Sequence, residues 1–155
     1  LCAISDKKIT GYIIGEILEE KYYKSLNLEN KKNIKYLGKM TKLKLEKEVY
    51  PAIDFLLLCS DKDPLPTVIL EAMSYGKIVF ARNVDGVHEI IDNEEDGFIF
   101  DYNAEPMEIA KHLYRTITDI NKLNTMSLKA IEKVKYKFDL RKKNAKINKI
   151  IEEIE

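Results

Sequence analysis

Asp63 and Glu71 stand eight positions apart in the run Asp63-Pro64-Leu65-Pro66-Thr67-Val68-Ile69-Leu70-Glu71, which continues into Ala72-Met73-Ser74-Tyr75-Gly76. Leu65 precedes a proline, so it is pushed to an extended conformation. Pro66 suits the first helical position, where a missing N–H costs nothing. The next free amides, on Thr67 and Val68, have no acceptor inside a helix. With the helix dipole they attract a phosphate or a carboxylate. Glu71 follows Thr67 by four residues and shares its face. Helical side chains lean toward the N-terminus, so its carboxylate points back toward the anion site. A carboxylate repels a phosphate but accepts well from paired hydroxyls such as those of a ribose. Ile69, Ala72 and Met73 form the opposite, core-facing stripe, and Gly76 is placed to end the helix. The plain alternative is a surface helix with one exposed glutamate after an Asp-Pro turn.

The elements that must position these residues alternate in type. Thr10-Gly11-Tyr12-Ile13-Ile14 reads as a strand closed by Gly15-Glu16. Residues 17–26 have helical spacing. Asn33-Ile34-Lys35-Tyr36-Leu37 is a second strand, closed by Gly38, and residues 43–52 are helical. Residues 54–59 form an almost wholly apolar strand, as expected for a parallel sheet covered on both faces. After the helix that starts near Pro66 come a strand over 78–81, a short helix over 87–91 and a strand over 98–100. Residues 105–120, 124–137 and 140–154 are helical. Strands alternating with helices predict an α/β fold, a doubly wound and mainly parallel sheet with helices on both faces. Ligands of such sheets bind at the carboxyl ends of the strands. The loops at Gly15-Glu16, Gly38-Lys39, 60–65, 82–86 and 101–103 therefore hold the site candidates.

Composition narrows the function. The 155 residues carry 26 basic and 26 acidic side chains, so formal net charge is zero and no nucleic-acid partner is expected. Arginine occurs only at 82, 115 and 141, which weakens any case for bidentate phosphate reading. Cys2 and Cys59 are the only cysteines, and Cys59 is expected to be a small buried filler. Such usage implies a reducing compartment. No apolar run approaches a membrane span. His88 and His112 have no ligand partner at metal spacing, so no metal site is expected. His88 is expected to serve a loop or cap, and Lys39 and Lys62 read most simply as solvated lysines.

Five ordered blocks resemble the carboxyl-terminal, donor-binding domain of GT-B glycosyltransferases, above all glycosyltransferase family 4, the glycosyl transferases group 1. They are Tyr12-Ile13-Ile14-Gly15-Glu16; Asn33-Ile34-Lys35-Tyr36-Leu37-Gly38-Lys39; Asp54-Phe55-Leu56-Leu57-Leu58-Cys59-Ser60; the segment 63–76; and Val84-Asp85-Gly86-Val87-His88-Glu89-Ile90-Ile91 with Asp96-Gly97-Phe98. The third is similar to a family block that ends in Pro-Ser. The fourth is similar to the signature of two acids eight apart followed by Glu-Ala-Met and Gly. Five blocks in order are far more specific than one short motif.

The resemblance implies a Rossmann-like half of the GT-B architecture and a retaining transfer of a hexose-type sugar, without metal or other cofactor. The donor would be a nucleoside-diphosphate sugar of UDP, GDP or ADP type. The acceptor would be a glycan or lipid-linked molecule of polysaccharide biosynthesis. By resemblance Glu71 accepts from the ribose hydroxyls, and Asp63 stands where a family glutamate contacts the transferred sugar. Thr67 and Val68, with Leu65 before them, face the diphosphate; Gly15, Glu16, Gly38, Lys39 and Met40 flank the nucleobase and ribose. Fixed N–H dipoles would stabilise charge on the leaving diphosphate.

Departures from the family pattern are equally specific. Asp63 is one methylene shorter than the usual glutamate. Leu65-Pro66 replaces Phe-Gly, Asp85-Gly86 replaces Gly-Gly, and His88 replaces a proline. The family domain opens with a strand ending in Gly-Arg and then Lys-Gly, whose Arg and Lys clamp the diphosphate. Here the chain opens on Leu1-Cys2-Ala3-Ile4-Ser5, which resembles the end of the helix that follows. The expectation is one donor-binding domain over 1–155, lacking that first strand and the acceptor-binding amino-terminal domain, and inactive alone. An unpaired sheet edge then invites self-association. The implied location is cytoplasmic, peripheral to the inner membrane in the full-length enzyme. The rival readings are a non-catalytic nucleotide-sugar-binding or scaffolding module of the same fold and, less favoured by the Glu-Ala-Met block, a GT-B epimerase.

Overall fold

A computed structural model describes residues 9–139. Expectations for residues 1–5 and 140–154 lie outside that span. The order of elements is β1 (Gly11–Ile14), α1 (Glu20–Ser25), a 3-10 turn (Leu28–Asn30), β2 (Ile34–Gly38), α2 (Lys42–Lys44) running into a π turn (Leu45–Val49), β3 (Phe55–Leu58), α3 (Thr67–Ser74), β4 (Ile78–Arg82), α4 (Val87–Ile90), β5 (Phe98–Phe100), α5 (Pro106–Ile117) and α6 (Ile120–Lys137).

All strand pairings are parallel, as the alternation of elements requires. They fall into two sheets, β1-β2 and β3-β4-β5, rather than the single sheet expected from the pattern. No described strand joins β1 to β3. The effect on burial is direct. In β4, which has a neighbour on each side, Ile78 to Ala81 are all buried. In β1, Tyr12 and Ile13 remain 49% and 38% exposed.

The core gathers on the three-stranded side. Ile69, Ala72 and Met73 of α3 pack with Val79 and Ala81, with Val87, Ile90 and Ile91, and with Ala130 of α6. That is the apolar stripe foreseen for this helix. A second cluster joins Ile78, Phe80 and Phe98 to Leu113 of α5 and Met126 of α6. Phe80 stacks on Phe98 at 4.6 Å between centroids. The helix α3 ends as expected at Gly76, whose φ of 68° only glycine adopts freely. The Gly76 N–H bonds the Met73 carbonyl at 2.9 Å and the Lys77 N–H bonds Ala72 at 3.1 Å, a Schellman closure. The Ser127 hydroxyl of α6 then donates to the Gly76 carbonyl at 2.8 Å, tying the two helices.

Four helices differ from the periodicity, and the one expected over 105–120 covers only Pro106–Ile117. The first helix covers Glu20–Ser25 instead of 17–26, and none of its residues is buried. Its one ring contact is Tyr23 against Tyr36 at 5.2 Å, too little packing to hold the ends of a short helix against fraying. The last described helix begins at Ile120 rather than 124, because the Asp119 carboxylate accepts from the Lys122 N–H at 3.0 Å and caps it. The 43–52 segment is helical only as a three-residue α turn widened into a π turn that ends at Tyr50.

Candidate functional site

Pro66 has φ −70° and ψ 89°, so it is the capping residue and Thr67 is the first helical one. This corrects the placement of Pro66 at the first helical position by one residue. The consequence for the amides is unchanged. The Pro66 carbonyl takes the Ile69 N–H at 3.0 Å, and proline has no side-chain acceptor for the others. Thr67 is exposed and Val68 half-buried, so this helix start opens toward solvent.

The loop before it is pinned from one side. A Cβ on Gly86 would stand 2.0 Å from the Pro64 carbonyl oxygen and 3.5 Å from Leu65 Cα. The turn that follows β4 therefore rests backbone-to-backbone on the Asp63–Leu65 stretch. Asp63 is half-buried there, and Leu65 is 49% exposed. The neighbouring turn is braced by the His88 ring nitrogen Nε2 against Asn83 Oδ1, in keeping with a loop role for His88. Arg82, at the carboxyl end of β4, pairs with Asp61 after β3 and lies over the Tyr102 ring after β5. Three carboxyl-end loops are thus tied together. Cys59 in this region is an exposed free thiol, not the buried filler expected. It lies one residue past the end of β3, whose last residue, Leu58, still packs against the core.

Glu71 is the best-held of the expected site residues. Its side chain is 21% exposed. The Tyr50 hydroxyl donates to Oε2 at 2.8 Å, and Lys42 Nζ lies 3.6 Å from Oε1. Tyr50 is 3% exposed and its ring stacks on Tyr75 at 5.5 Å. Burial pushes the Tyr50 phenol well above its ordinary value, and the bond to Glu71 adds to the effect. It therefore stays a donor at any physiological pH. Sequence reasoning missed both Tyr50 and Lys42. The one signal available was an aromatic residue immediately before Pro51 at the end of a helical segment.

The expected nucleobase-side residues also come together. The Gly15 N–H donates to the Gly38 carbonyl at 3.1 Å, and the Tyr36 hydroxyl to the Gly15 carbonyl at 2.8 Å. Lys39 pairs with Glu16 at 2.7 Å, both largely exposed. Gly38 has φ 75°, and a Cβ on Gly15 or Gly38 would meet nothing within 4 Å. The space beside these two turns is open. Met40 follows half-buried, and Lys42, two residues on, is the one that reaches Glu71.

Other hollows lie along α6, walled by residues such as Glu94, Glu95, Lys122 and Lys129. Their charges are already paired: Lys129 with Glu95, and Lys133 with Asp92 and Asp96, each at 2.8 Å for Lys133. Among the described residues no three His, Cys, Asp or Glu side chains gather at metal-binding distance, and no helix is long and apolar enough to cross a membrane.

Residues 2–133 match the family described as glycosyl transferases group 1. The chain belongs to that family. It is 31% identical over 134 residues to an Escherichia coli UDP-Gal:α-D-GlcNAc-diphosphoundecaprenol α-1,3-galactosyltransferase, covering 86% of this chain and 33% of that enzyme. It is similar in structure to Anabaena HepE, crystallised with UDP-glucose, at a TM-score of 0.82 and 25% identity. That match covers 98% of this chain and 43% of HepE. The carboxyl-terminal domain of LpcC, a Francisella tularensis group 1 glycosyl transferase, shares the fold at a TM-score of 0.57 and 20% identity, over 87% of this chain and 90% of that one. The chain is thus a GT-B glycosyltransferase group 1 domain with a Rossmann-like fold. It spans about a third of the length of the curated galactosyltransferase it matches.

Proposed function

We propose that this domain binds the nucleoside-diphosphate sugar of a retaining hexosyltransferase and presents it to a glycan or lipid-linked acceptor. The acceptor would be held by a second domain in the remaining length that such relatives have. The observation that carries the reading is the pairing, on one helix, of an anion-attracting start with an oriented carboxylate. Thr67 and Val68 offer amides to the diphosphate, and Glu71 offers its carboxylate to the ribose. Fold alone would not assign function. Support comes from the family and from relatives whose names specify UDP-galactose and UDP-glucose.

The chemistry follows from the geometry. As the bond from the anomeric carbon to the diphosphate breaks, negative charge grows on the leaving oxygens. Amides already aimed at them stabilise that charge without reorganisation. Asp63, on the loop braced by Gly86, contacts the transferred sugar. Gly15, Glu16, Gly38, Lys39 and Met40 border the nucleobase, with Leu65 closing the diphosphate side. UDP is the expected nucleotide, and no metal is assigned to the transfer.

Amide chemical shifts titrated with UDP, GDP and ADP test the reading. Perturbations confined to Thr67–Glu71 and to the turns at Gly15 and Gly38, strongest with UDP, are expected. Shifts that stay still in all three segments at millimolar nucleotide would refute the donor site.

A further inference from the structure

Glu71 is not a freely swinging surface acid. One oxygen of its carboxylate is bound from inside the domain by a buried phenol, and the other faces an exposed lysine. We propose that Tyr50 is a positioning residue for donor recognition: it fixes the Glu71 carboxylate so that Oε1 faces the ribose hydroxyls. Tyr50 and Lys42 have no role assigned by the family resemblance. The inference rests on the donor-site reading and extends it to specificity between ribose and deoxyribose.

Two independent features fix Tyr50 in place. The ring is 3% exposed and stacks on Tyr75, which closes the far end of α3. The backbone is held by the π turn, whose Tyr50 N–H reaches the Leu45 carbonyl at 2.9 Å. Such widened turns are rare and occur frequently at functional sites. Tyr50 also keeps helical angles, φ −57° and ψ −40°, directly before Pro51, a combination that proline disfavours. The local sequence would relax away from this arrangement if packing did not hold it. The hydroxyl meets Oε2 at 2.8 Å and can only donate there, since a carboxylate only accepts.

The two oxygens are therefore unequal. Oε2 is occupied by a neutral donor from a buried residue. Oε1 faces Lys42 at a looser 3.6 Å, and that lysine side chain is 70% exposed. A ribose diol can displace a solvated lysine at low cost. Without the phenol the carboxylate would rotate freely, and ordering it would weaken binding.

The test is binding of UDP, 2′-deoxy-UDP and 3′-deoxy-UDP to the wild-type chain, Tyr50→Phe, Glu71→Gln and the double variant. Phenylalanine keeps the ring and its stacking and removes only the hydroxyl. Wild type is expected to prefer UDP over the deoxy nucleotides. Tyr50→Phe should lose about fivefold in UDP affinity and less for the deoxy nucleotides, each of which keeps one hydroxyl, so discrimination narrows. The double variant should bind no worse than Glu71→Gln, since the two residues act as one unit. Without nucleotide, the Tyr50 phenol should titrate lower in Glu71→Gln, yet above a free tyrosine because burial is the larger cause. If Glu71→Gln lowers discrimination and Tyr50→Phe does not, positioning fails while the donor site stands. If Tyr50→Phe weakens all three nucleotides alike, its role is structural and the inference is overturned. If wild type binds none of the three, or Glu71→Gln changes nothing, the donor reading fails and takes the inference with it.

Discussion

Gly86→Ala isolates the contact that shapes the loop of Asp63, the residue proposed to meet the donor sugar. Gly86 has ordinary angles, φ −76° and ψ 3°, so alanine imposes no backbone strain of its own. The whole penalty comes from the new methyl, which would lie 2.0 Å from the Pro64 oxygen and 3.0 Å from its carbonyl carbon. These atoms are backbone, so no flexible side chain can give way. The two stretches of chain must part by about 1.4 Å to bring 2.0 Å up to an ordinary contact of 3.4 Å. Overpacking of this kind costs about 2 kcal/mol, or about 4–8 °C in melting temperature for a domain of this size. The displacement falls on Asp63–Leu65, while Glu71 lies a full turn into α3 and is held by Tyr50. UDP-sugar binding should therefore weaken more than UDP binding. Gly11→Ala is the control, because its Cβ would meet nothing nearer than 3.7 Å. Thermal melts and nucleotide titrations of both variants decide the matter. An unchanged melt for Gly86→Ala, with amide shifts of 63–68 unmoved, would show that the loops do not bear on one another and would refute the reasoning.

Glu71→Gln should weaken UDP binding by about 1–2 kcal/mol, the range for a hydrogen bond to a charged group; folding should survive, since the amide oxygen can still accept from Tyr50, and calorimetry measures both. Lys133 is 9% exposed and pairs with Asp96, itself 4% exposed, so Lys133→Met should cost about 3 kcal/mol in urea unfolding by leaving a buried carboxylate unpaired. Lys133→Met/Asp96→Leu should recover much of that loss. The Lys133 ammonium beside Asp92 holds that carboxyl below its ordinary 3.8, chiefly through the hydrogen bond. A folded value below the unfolded one stabilises above the unfolded value and is lost as pH falls through the folded one. Stability should thus decline below about pH 4, and Asp92→Asn should flatten that part of the profile without changing its neutral limb.

Much of the fold is legible locally because local rules decide it. The α3 helix has an apolar stripe, a glycine terminator and a proline entrance, and each acts within a few residues. The strands at 55–58, 78–82 and 98–100 are short apolar runs that only a covered parallel sheet accommodates. What escaped the sequence depends on distance. Tyr50 and Glu71 are separated by 21 positions with a strand between them, and no periodicity encodes their meeting. The π turn is set by an extra residue between hydrogen-bond partners, which the apolar spacing of 43–52 does not reveal. The division into two sheets is likewise a matter of pairing, and β1 and β3 look no different in sequence from joined neighbours. Cys59 misled because its type favours burial, while its position one residue past β3 does not.

The helix proposed to hold the diphosphate also carries a negative charge about 6 Å along its axis, four residues on. That arrangement would repel a diphosphate unless the carboxylate were turned aside and partly neutralised. Tyr50 does the first, by anchoring Oε2 toward the interior. Lys42 does some of the second, though at 3.6 Å and in solvent its contribution is small. The first turn of α3 holds no basic residue, so its amides supply the remaining attraction within the helix. Amides alone bind a diphosphate weakly, and affinity for UDP should be on the order of millimolar. If Lys42 matters only as a counter-charge, Lys42→Gln should lower UDP affinity by no more than about threefold, with the loss vanishing at high salt. A larger, salt-insensitive loss would mean that Lys42 touches the phosphates itself, and the electrostatic account of this helix would have to be redrawn around it.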